Sequence, residues 1–486
     1  MIHLRIENPI KVDTYETVGD IEIPRLTAGD IDGVIQQLGE NASVAFSADD
    51  SVLSKFIAIN KKWLDPNYPF RQQALELLPG LTGFSRAMIE TFGFHSFTWD
   101  RFTLPPERAF ASLEPWQDGY VKSIGIEQQQ VLSPKLITRI LFGNVVGFDA
   151  LTLVQGFAAK CPQIIKVASG QPLFAFLYGN AMEAEFPELR GTMFLCYWKG
   201  GDREIEEPLF KRSSVIDVWG ADETVADVRQ RASGLNPRPK IIESPHRIGM
   251  SFIATDHLTA KVGELAAVDI ACWSGMACFS VKHVFVEGPF KDVKKLGRDI
   301  AKALDRCTKH FGTFSDKSVG MDMLRLKDGY ERLEYDGKQV ATFSPSKGKK
   351  WIVVVDGRDM DELDYLQPTT PLAPSCVVHP VDLDVAVEWL GHQKELTHYF
   401  EEASIAVSND ALIPFGEKLI DAGFMNVKCI GSNAFPKEWE PHGGDFYHAT
   451  AMRSDNLRWT CIDTRDIEAE IEKNFQRVKD WNYLPD

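Results

Sequence analysis

The chain has no GxGxxG following a strand-like run and no GxxxxGK[ST], so it carries neither of the common phosphate-binding fingerprints. Its eight cysteines, at 161, 196, 272, 278, 307, 376, 429 and 461, never fall at CxxC spacing. In a chain of 486 residues that excludes a disulfide scaffold and a zinc ribbon, and leaves reduced thiols in a cytoplasmic protein as the expectation. Cys307 and His310 form a lone CxxH with no second pair at zinc spacing, so no metal is expected. Positive charge is also scarce. Lys and Arg number 53 against 69 Asp and Glu, for a net charge of -16, which excludes a nucleic-acid-binding surface over the whole chain. Local cations and backbone N–H groups remain able to hold phosphorylated cofactors. The longest apolar stretch, residues 140–159, is broken by Asn144, Asp149 and Gln155 and carries three glycines. A membrane helix of about 20 residues does not tolerate that mixture. The first ten residues lack a basic segment followed by an apolar run, so no signal peptide is expected. No internal repeat or low-complexity tract appears.

What is present is regular alternation. The length predicts two or three structural domains. Apolar residues at helical spacing predict helices over 54–64 and 71–78, with a break at 65–69. From residue 137 onward, strands at 163–168, 192–198 and 214–219 alternate with helices at 172–184, 204–211 and 221–231. That pattern means a parallel sheet with a Rossmann-like, nucleotide-binding layout. Further strands are predicted at 250–254, 283–287 and 351–355, and helices at 257–270, 384–399, 408–422 and 466–480. Residues 332–335 and 339–343, around Asp336-Gly337, read as a hairpin.

Two features carry chemistry. Gly220 ends an apolar strand and Ala221 opens a helix, which aims free backbone N–H groups at an anion; many α/β turns do the same with no ligand. Cys278 follows two small residues, Gly275 and Ala277, and precedes a strand. A nucleophilic cysteine needs such a tight backbone, so that its own N–H meets the oxyanion formed on attack. Most lone cysteines are simply core, and Cys272 in the same segment is the rival.

Several stretches, taken in order, resemble the LuxC-type acyl-CoA reductases, a branch of the aldehyde dehydrogenase superfamily. They are residues 62–78 (KWLDPNYPFRQQALELL), 143–147 (GNVVG), 165–169 (IKVAS) and 197–202 (YWKGGD). Further on come 218–229 (VWGADETVADVR), 277–287 (ACFSVKHVFVE) and 439–444 (WEPHGG). Each motif is short, and their joint order is what makes the resemblance specific. It implies an α/β, aldehyde dehydrogenase-like fold: a Rossmann-like cofactor domain, an α/β catalytic domain and a small oligomerisation element. The corresponding division is an N-terminal helical segment and cofactor domain over 1–245, a catalytic domain over 246–435, and a C-terminal segment over 436–486 that returns to the cofactor domain or to an oligomer interface.

The resemblance also implies roles. Cys278 is the nucleophile, with Gly275 at the superfamily's spacing, and Asn144 completes the oxyanion hole, its bland alternative being a turn residue between Gly143 and Gly147. Lys166 binds the adenosine ribose, and Gly220 and Ala221, beside Trp219, face the pyrophosphate. Two departures bear on the reaction. His246 stands where hydrolytic aldehyde dehydrogenases carry a water-activating glutamate, which favours thioester reduction over oxidation to the acid; His246 is either a proton donor or a packed structural residue. Ser169 replaces the glutamate that many NAD-preferring relatives place after the strand lysine, leaving room for a 2′-phosphate beside Lys166. NADPH is therefore the expected cofactor, with NADH the alternative. The expected activity is reduction of an acyl-CoA, of fatty-acyl type, to the aldehyde, with coenzyme A as part of the substrate. The expected partners are an acyl-activating or acyl-carrier protein and further copies of the chain in a homo-oligomer. The alternatives are a hydrolytic NAD(P)-dependent aldehyde dehydrogenase and a non-redox cysteine acyl carrier.

Overall fold

The computed structural model describes residues 4–46, 52–94, 121–124, 127–130, 134–158, 160–313, 317–345, 350–360, 372–435 and 461–481. The chain opens with β1 (Leu4–Arg5), β2 (Tyr15–Val18) and β3 (Ile21–Pro24), a small sheet in the order β1-β3-β2. Helices Val52–Leu64 and Pro69–Thr82 follow, close to the two expected from apolar spacing. A two-stranded ribbon of β4 (Val121–Ile124) and β5 (Glu127–Gln130) stands apart from the other sheets.

Five parallel strands come next: β6 (Ile137–Ile140), β7 (Gln163–Lys166), β8 (Met193–Cys196), β9 (Val215–Trp219) and β10 (Lys240–Ser244). Their order is β10-β9-β6-β7-β8. Helices Phe148–Ala158, Leu173–Glu185, Arg203–Arg212 and Asp222–Ser233 make the crossovers. Helices on both faces explain why β6, β7 and β8 are buried at every position. The chain runs from β6 out to β8 and then returns to β9 on the other side of β6. That reversal opens a crevice at the carboxyl ends of β6 and β9, where such sheets bind ligands.

The second sheet contains β11 (Ile248–Ile253), β12 (Val281–Val286), β13 (Val340–Phe343), β14 (Ile352–Asp356), β15 (Ser375–Pro380), β16 (Phe400–Ala406), β17 (Asn426–Cys429) and β18 (Cys461–Ile462). Their order is β13-β14-β15-β12-β11-β16-β17-β18, all parallel except β13 against β14. Helix Ala260–Ala271 packs on the long helix Phe290–Phe311 and on the last helix, Ile467–Asp480. The described part of the C-terminal segment therefore lies on this larger sheet. One large apolar cluster joins this sheet to the aromatic N-terminal helices, including Trp63, Phe84, Phe92 and Trp273.

The expected hairpin is absent. Residues 332–335 are the last turn of helix Lys317–Tyr335, and β13 pairs with β14. Arg-Leu-Glu-Tyr alternates like a strand, but Met323, Leu326, Tyr330 and Leu333 recur at helical spacing and pack on Val340, Ile352 and Val354. The longer apolar period wins. Two expected helices are shorter: one splits into the 3₁₀ turn Thr255–His257 and the helix Ala260–Ala271, and the other stops at His392. The WEPHGG motif lies outside the described residues. Among the described residues no helix is long and apolar enough to cross a membrane, and no group of three or more His, Cys, Asp or Glu could hold a metal.

Candidate active site

The carboxyl ends of the small parallel sheet face the amino ends of β11, β12 and β16 across one cleft of about 1260 Å³. Cys278, Asn144, His246, Lys166, Ser169, Trp219, Gly220 and Ala221, from five separated segments, all line it.

The loop that carries Cys278 is held from several sides. Helix Ala260–Ala271 ends at Cys272, and Trp273, Ser274 and Gly275 then take left-handed backbone conformations, with φ of 50°, 57° and 70°. Left-handed Trp and Ser are costly and persist only where their surroundings over-determine them. Here the Trp273 ring is fully buried against Phe84 and Phe92 of the N-terminal segment. Gly275 cannot be replaced without displacement, because a Cβ there would lie 2.2 Å from the Ala373 carbonyl oxygen. Asn144 Nδ2 donates to the Met276 carbonyl at 2.8 Å, and Asn433 Nδ2 donates to that of Phe279 at 3.2 Å. The first bond spans the cleft and leaves the second Asn144 amide hydrogen for another acceptor.

Of the seven described cysteines, all free thiols, only Cys278 is partly exposed. Cys272 is fully buried, donates to the Asp269 carbonyl, and has its pKa pushed by burial up to about 12. A thiol that neither reaches the cleft nor ionises near neutrality makes a poor nucleophile. Cys278 is held well above the ordinary thiol range as well. Burial is the main cause, followed by the charges of Glu401 and Glu402 and a hydrogen bond to Glu401, with Arg247 opposing. Its resting form is the thiol, so the attacking thiolate implied by the resemblance requires a group that takes the proton.

Glu401 is 2% exposed and lines the cleft. It sits on β16 beside Glu402, which points the other way and binds Lys428 at 2.9 Å and Asn426 at 3.0 Å, all three buried. The sequence reading missed Glu401. Two adjacent glutamates in an otherwise apolar strand, FEEASIA, were the available signal, because a buried carboxylate is costly unless it is partnered. The carboxylate expected at 246 in a hydrolytic enzyme is thus absent there, yet a carboxylate from another strand lines the same cleft as Cys278.

His246 lies across from Tyr399, with ring centroids 6.0 Å apart. Burial lowers its pKa, Asp222 counteracts, and Lys282 and Arg247 lower it further, so the ring is neutral near neutral pH. The backbone N–H of His246 donates to Asp222 Oδ1 at 3.0 Å, and the Tyr399 hydroxyl donates to Oδ2 at 2.8 Å. Asp222 opens helix Asp222–Ser233, so it clamps the two walls of the cleft.

On the cofactor side, Lys166 ends β7 and is 8% exposed. Burial lowers its pKa while Glu206 and Cys196 raise it, and its ammonium sits 5.6 Å from the Tyr197 ring centroid. Ser169 is exposed in the following loop. Gly220 and Ala221 precede helix Asp222–Ser233, and Trp219 packs against Phe142 and Phe148 at 5.1 and 5.2 Å. Two buried polar atoms on this wall, Ser244 Oγ and Arg231 Nη1, have no hydrogen-bond partner. A cleft with a buried ammonium, a helix amino end, an aromatic floor and unsatisfied donors fits a dinucleotide.

The sequence model of the acyl-CoA reductase (LuxC) family matches residues 47–450. The chain belongs to this family. It is an oxidoreductase with the aldehyde dehydrogenase fold. The LuxC chain is similar to aldehyde dehydrogenase 21 from Physcomitrella patens, solved with the reaction product succinate: TM-score 0.66, 16% identity, covering 91% of this chain and 93% of that one. It also resembles a NAD-dependent benzaldehyde dehydrogenase from Corynebacterium glutamicum, with TM-score 0.63, 16% identity and coverage of 88% and 93%. A Mycobacterium tuberculosis aldehyde dehydrogenase complexed with NAD+ gives 0.63, 13%, 87% and 86%. A search of curated proteins returned no match. At these identities the solved structures show the fold, and the family match carries the aldehyde-related acyl reduction.

Proposed function

We propose that this LuxC-family protein reduces an acyl-CoA thioester to its aldehyde with NADPH, through an acyl group carried on Cys278. The observation that supports this most is the shared cleft: a partly exposed cysteine on one side, and Asn144, Lys166, Ser169 and the Trp219–Ala221 turn on the other. Cys278 Sγ attacks the thioester carbonyl. The Cys278 backbone N–H and the free Asn144 amide hydrogen receive the oxyanion, and coenzyme A departs to leave the acyl-cysteine. Lys166, Ser169, Trp219, Gly220 and Ala221 would hold the dinucleotide, whose reduced nicotinamide supplies the hydride. After reduction the same two donors hold the oxyanion until the aldehyde separates from the Cys278 sulfur.

NADPH is preferred because Ser169 is small and neutral where a carboxylate would repel the 2′-phosphate, and Lys166 supplies the counter-charge. A fatty acyl group delivered as its coenzyme A thioester, a cytoplasmic location, an acyl-activating or acyl-carrier partner and a homo-oligomer complete the reading. The domain division at 245 and at 435 belongs to it as well. The test follows loss of reduced nicotinamide absorbance with a panel of acyl-CoA thioesters, NADPH beside NADH, in wild type, Cys278→Ala and Cys272→Ala. Aldehyde formation abolished only by the Cys278 change, and faster with NADPH, is expected. A second reading, hydrolytic aldehyde oxidation, is favoured by the carboxylate of Glu401 beside the nucleophile, which would activate water. Stable acyl-Cys278 in the absence of reductant argues against it, and rapid release of free acid argues for it.

A further inference from the structure

We infer that Glu401 is the catalytic acid–base partner of Cys278, taking the thiol proton during attack and returning it to the departing coenzyme A sulfur. This rests on the acyl-transfer reading above and adds a residue that neither the motifs nor the family match assigns. The geometry is specific. Glu401 and Cys278 line the same cleft, Glu401 at the amino end of β16 and Cys278 just before β12, on either side of β11, and Glu401 is almost fully buried. Glu402, the neighbouring acid, is committed to Lys428 and Asn426 on the other face of β16 and does not line the cleft. His246, at the position of the hydrolytic base, packs its ring against Tyr399, and its backbone is tied to Asp222. The charged and titratable groups around the pair are Arg247 and His246 from the β10–β11 connection, Lys282 of β12, Asp222 of the helix after β9, Tyr399, and Glu402 of β16.

The proton balance closes. The Cys278 S–H proton passes to the Glu401 carboxylate as sulfur bonds to the acyl carbon. The carbon–sulfur bond to coenzyme A then breaks, and the Glu401 carboxylic acid protonates that sulfur, giving free coenzyme A and a carboxylate. After hydride addition the aldehyde leaves Cys278 as a thiolate, and one solvent proton restores the thiol. One proton and one hydride are consumed per thioester, as the overall reduction requires.

The alkylation arm of the test needs no substrate. The rate of Cys278 alkylation by iodoacetamide is measured against pH by peptide mass spectrometry in wild type and Glu401→Gln, and acylation by an acyl-CoA without reductant is measured in parallel. In wild type the alkylation rate should rise on the acid side, as the carboxylate ionises, and then level off through neutrality. In Glu401→Gln that limb should move to alkaline pH, with reaction near neutrality slower by about 100-fold, the lower range of acid–base contributions. Superposed profiles would overturn the inference, since a merely structural glutamate leaves the limb in place. A limb moved toward acid would also overturn it, because Glu401 would then act only as a negative charge that disfavours the thiolate. If Glu401→Gln fails to fold, Glu401→Asp carries the test: the acid limb is kept at a lower plateau, and an unchanged plateau contradicts the proposal. Failure of wild type to be acylated by any acyl-CoA refutes the reductase reading, while the alkylation profile still decides the role of Glu401.

Discussion

The two walls of the cleft are built differently. The cofactor wall comes from one run of alternating strands and helices, and its candidate groups lie at strand ends within residues 140–221. The wall proposed to be catalytic is assembled from segments far apart in sequence: His246 before β11, Cys278 before β12 and Glu401 on β16. There β11 pairs on one side with β12, the next strand in the chain, and on the other with β16, which comes four strands after β12, so Glu401 meets a site begun more than a hundred residues earlier. A wall made by local periodicity reveals its ligand groups in sequence, whereas one made by strand order hides which side chains meet.

The largest expected effect separates Cys278, the proposed nucleophile, from Cys272. Cys278→Ala should reduce acylation and aldehyde formation to background. Cys272→Ala should keep turnover and lose stability, by about 1 to 3 kcal/mol for a small buried side chain, read as a lower denaturant midpoint. Next comes the contact that ties the walls together. Asn144→Ala should lower kcat by about 100- to 1000-fold, the usual result of losing one oxyanion donor, and it also releases the Met276 carbonyl. An Asn144→Ala enzyme with unchanged kcat would restrict Asn144 to holding the loop.

On the cofactor wall, Ser169→Glu should move the preference from NADPH toward NADH by about tenfold or more, because a carboxylate set against a 2′-phosphate is repulsive. The readout is the ratio of kcat/KM values. Equal losses with both cofactors would remove the basis for the NADPH preference. A smaller effect is expected at the clamp: Tyr399→Phe removes one hydrogen bond to Asp222 and should cost about 1 kcal/mol, measured as a shift in denaturant midpoint.

A further effect concerns acid stability away from the cleft. His379 stacks on Phe285 and His283 and is buried, so its pKa falls from 6.5 to about 3, burial being the main cause and Arg358 adding to it. Between those values the unfolded chain binds a proton that the folded chain refuses, so stability falls as pH drops through this window. His379→Phe should flatten the acid side of the stability profile, and an equally steep profile would contradict the assignment.

Three of the five strands of the cofactor sheet, β7, β8 and β9, were legible because they are apolar runs bounded by amphipathic helices, with Lys166 conspicuous in one of them, whereas β6 and β10 were not expected. Cys278 was legible through its small neighbours and its family motif, and Cys272 stayed a rival until burial separated them. Glu401 was hidden because no strand was expected over residues 400–406, and only the pairing of β16 between β11 and β17 buries both acids. The clamp of Asp222 on His246 and Tyr399 was hidden for the same reason. Asp222 reads from sequence as a helix-start acid favoured by the dipole, and its partners lie 24 and 177 residues away.

The most direct measurement is a single-turnover experiment in two stages. Wild type is mixed with a fatty acyl-CoA without reductant and its intact mass and modified peptide are read; NADPH is then added and the aldehyde quantified. The account predicts an acyl group on Cys278 with coenzyme A released, followed by its discharge as one equivalent of aldehyde. Acylation at another residue, or discharge as free acid before NADPH is added, would contradict it.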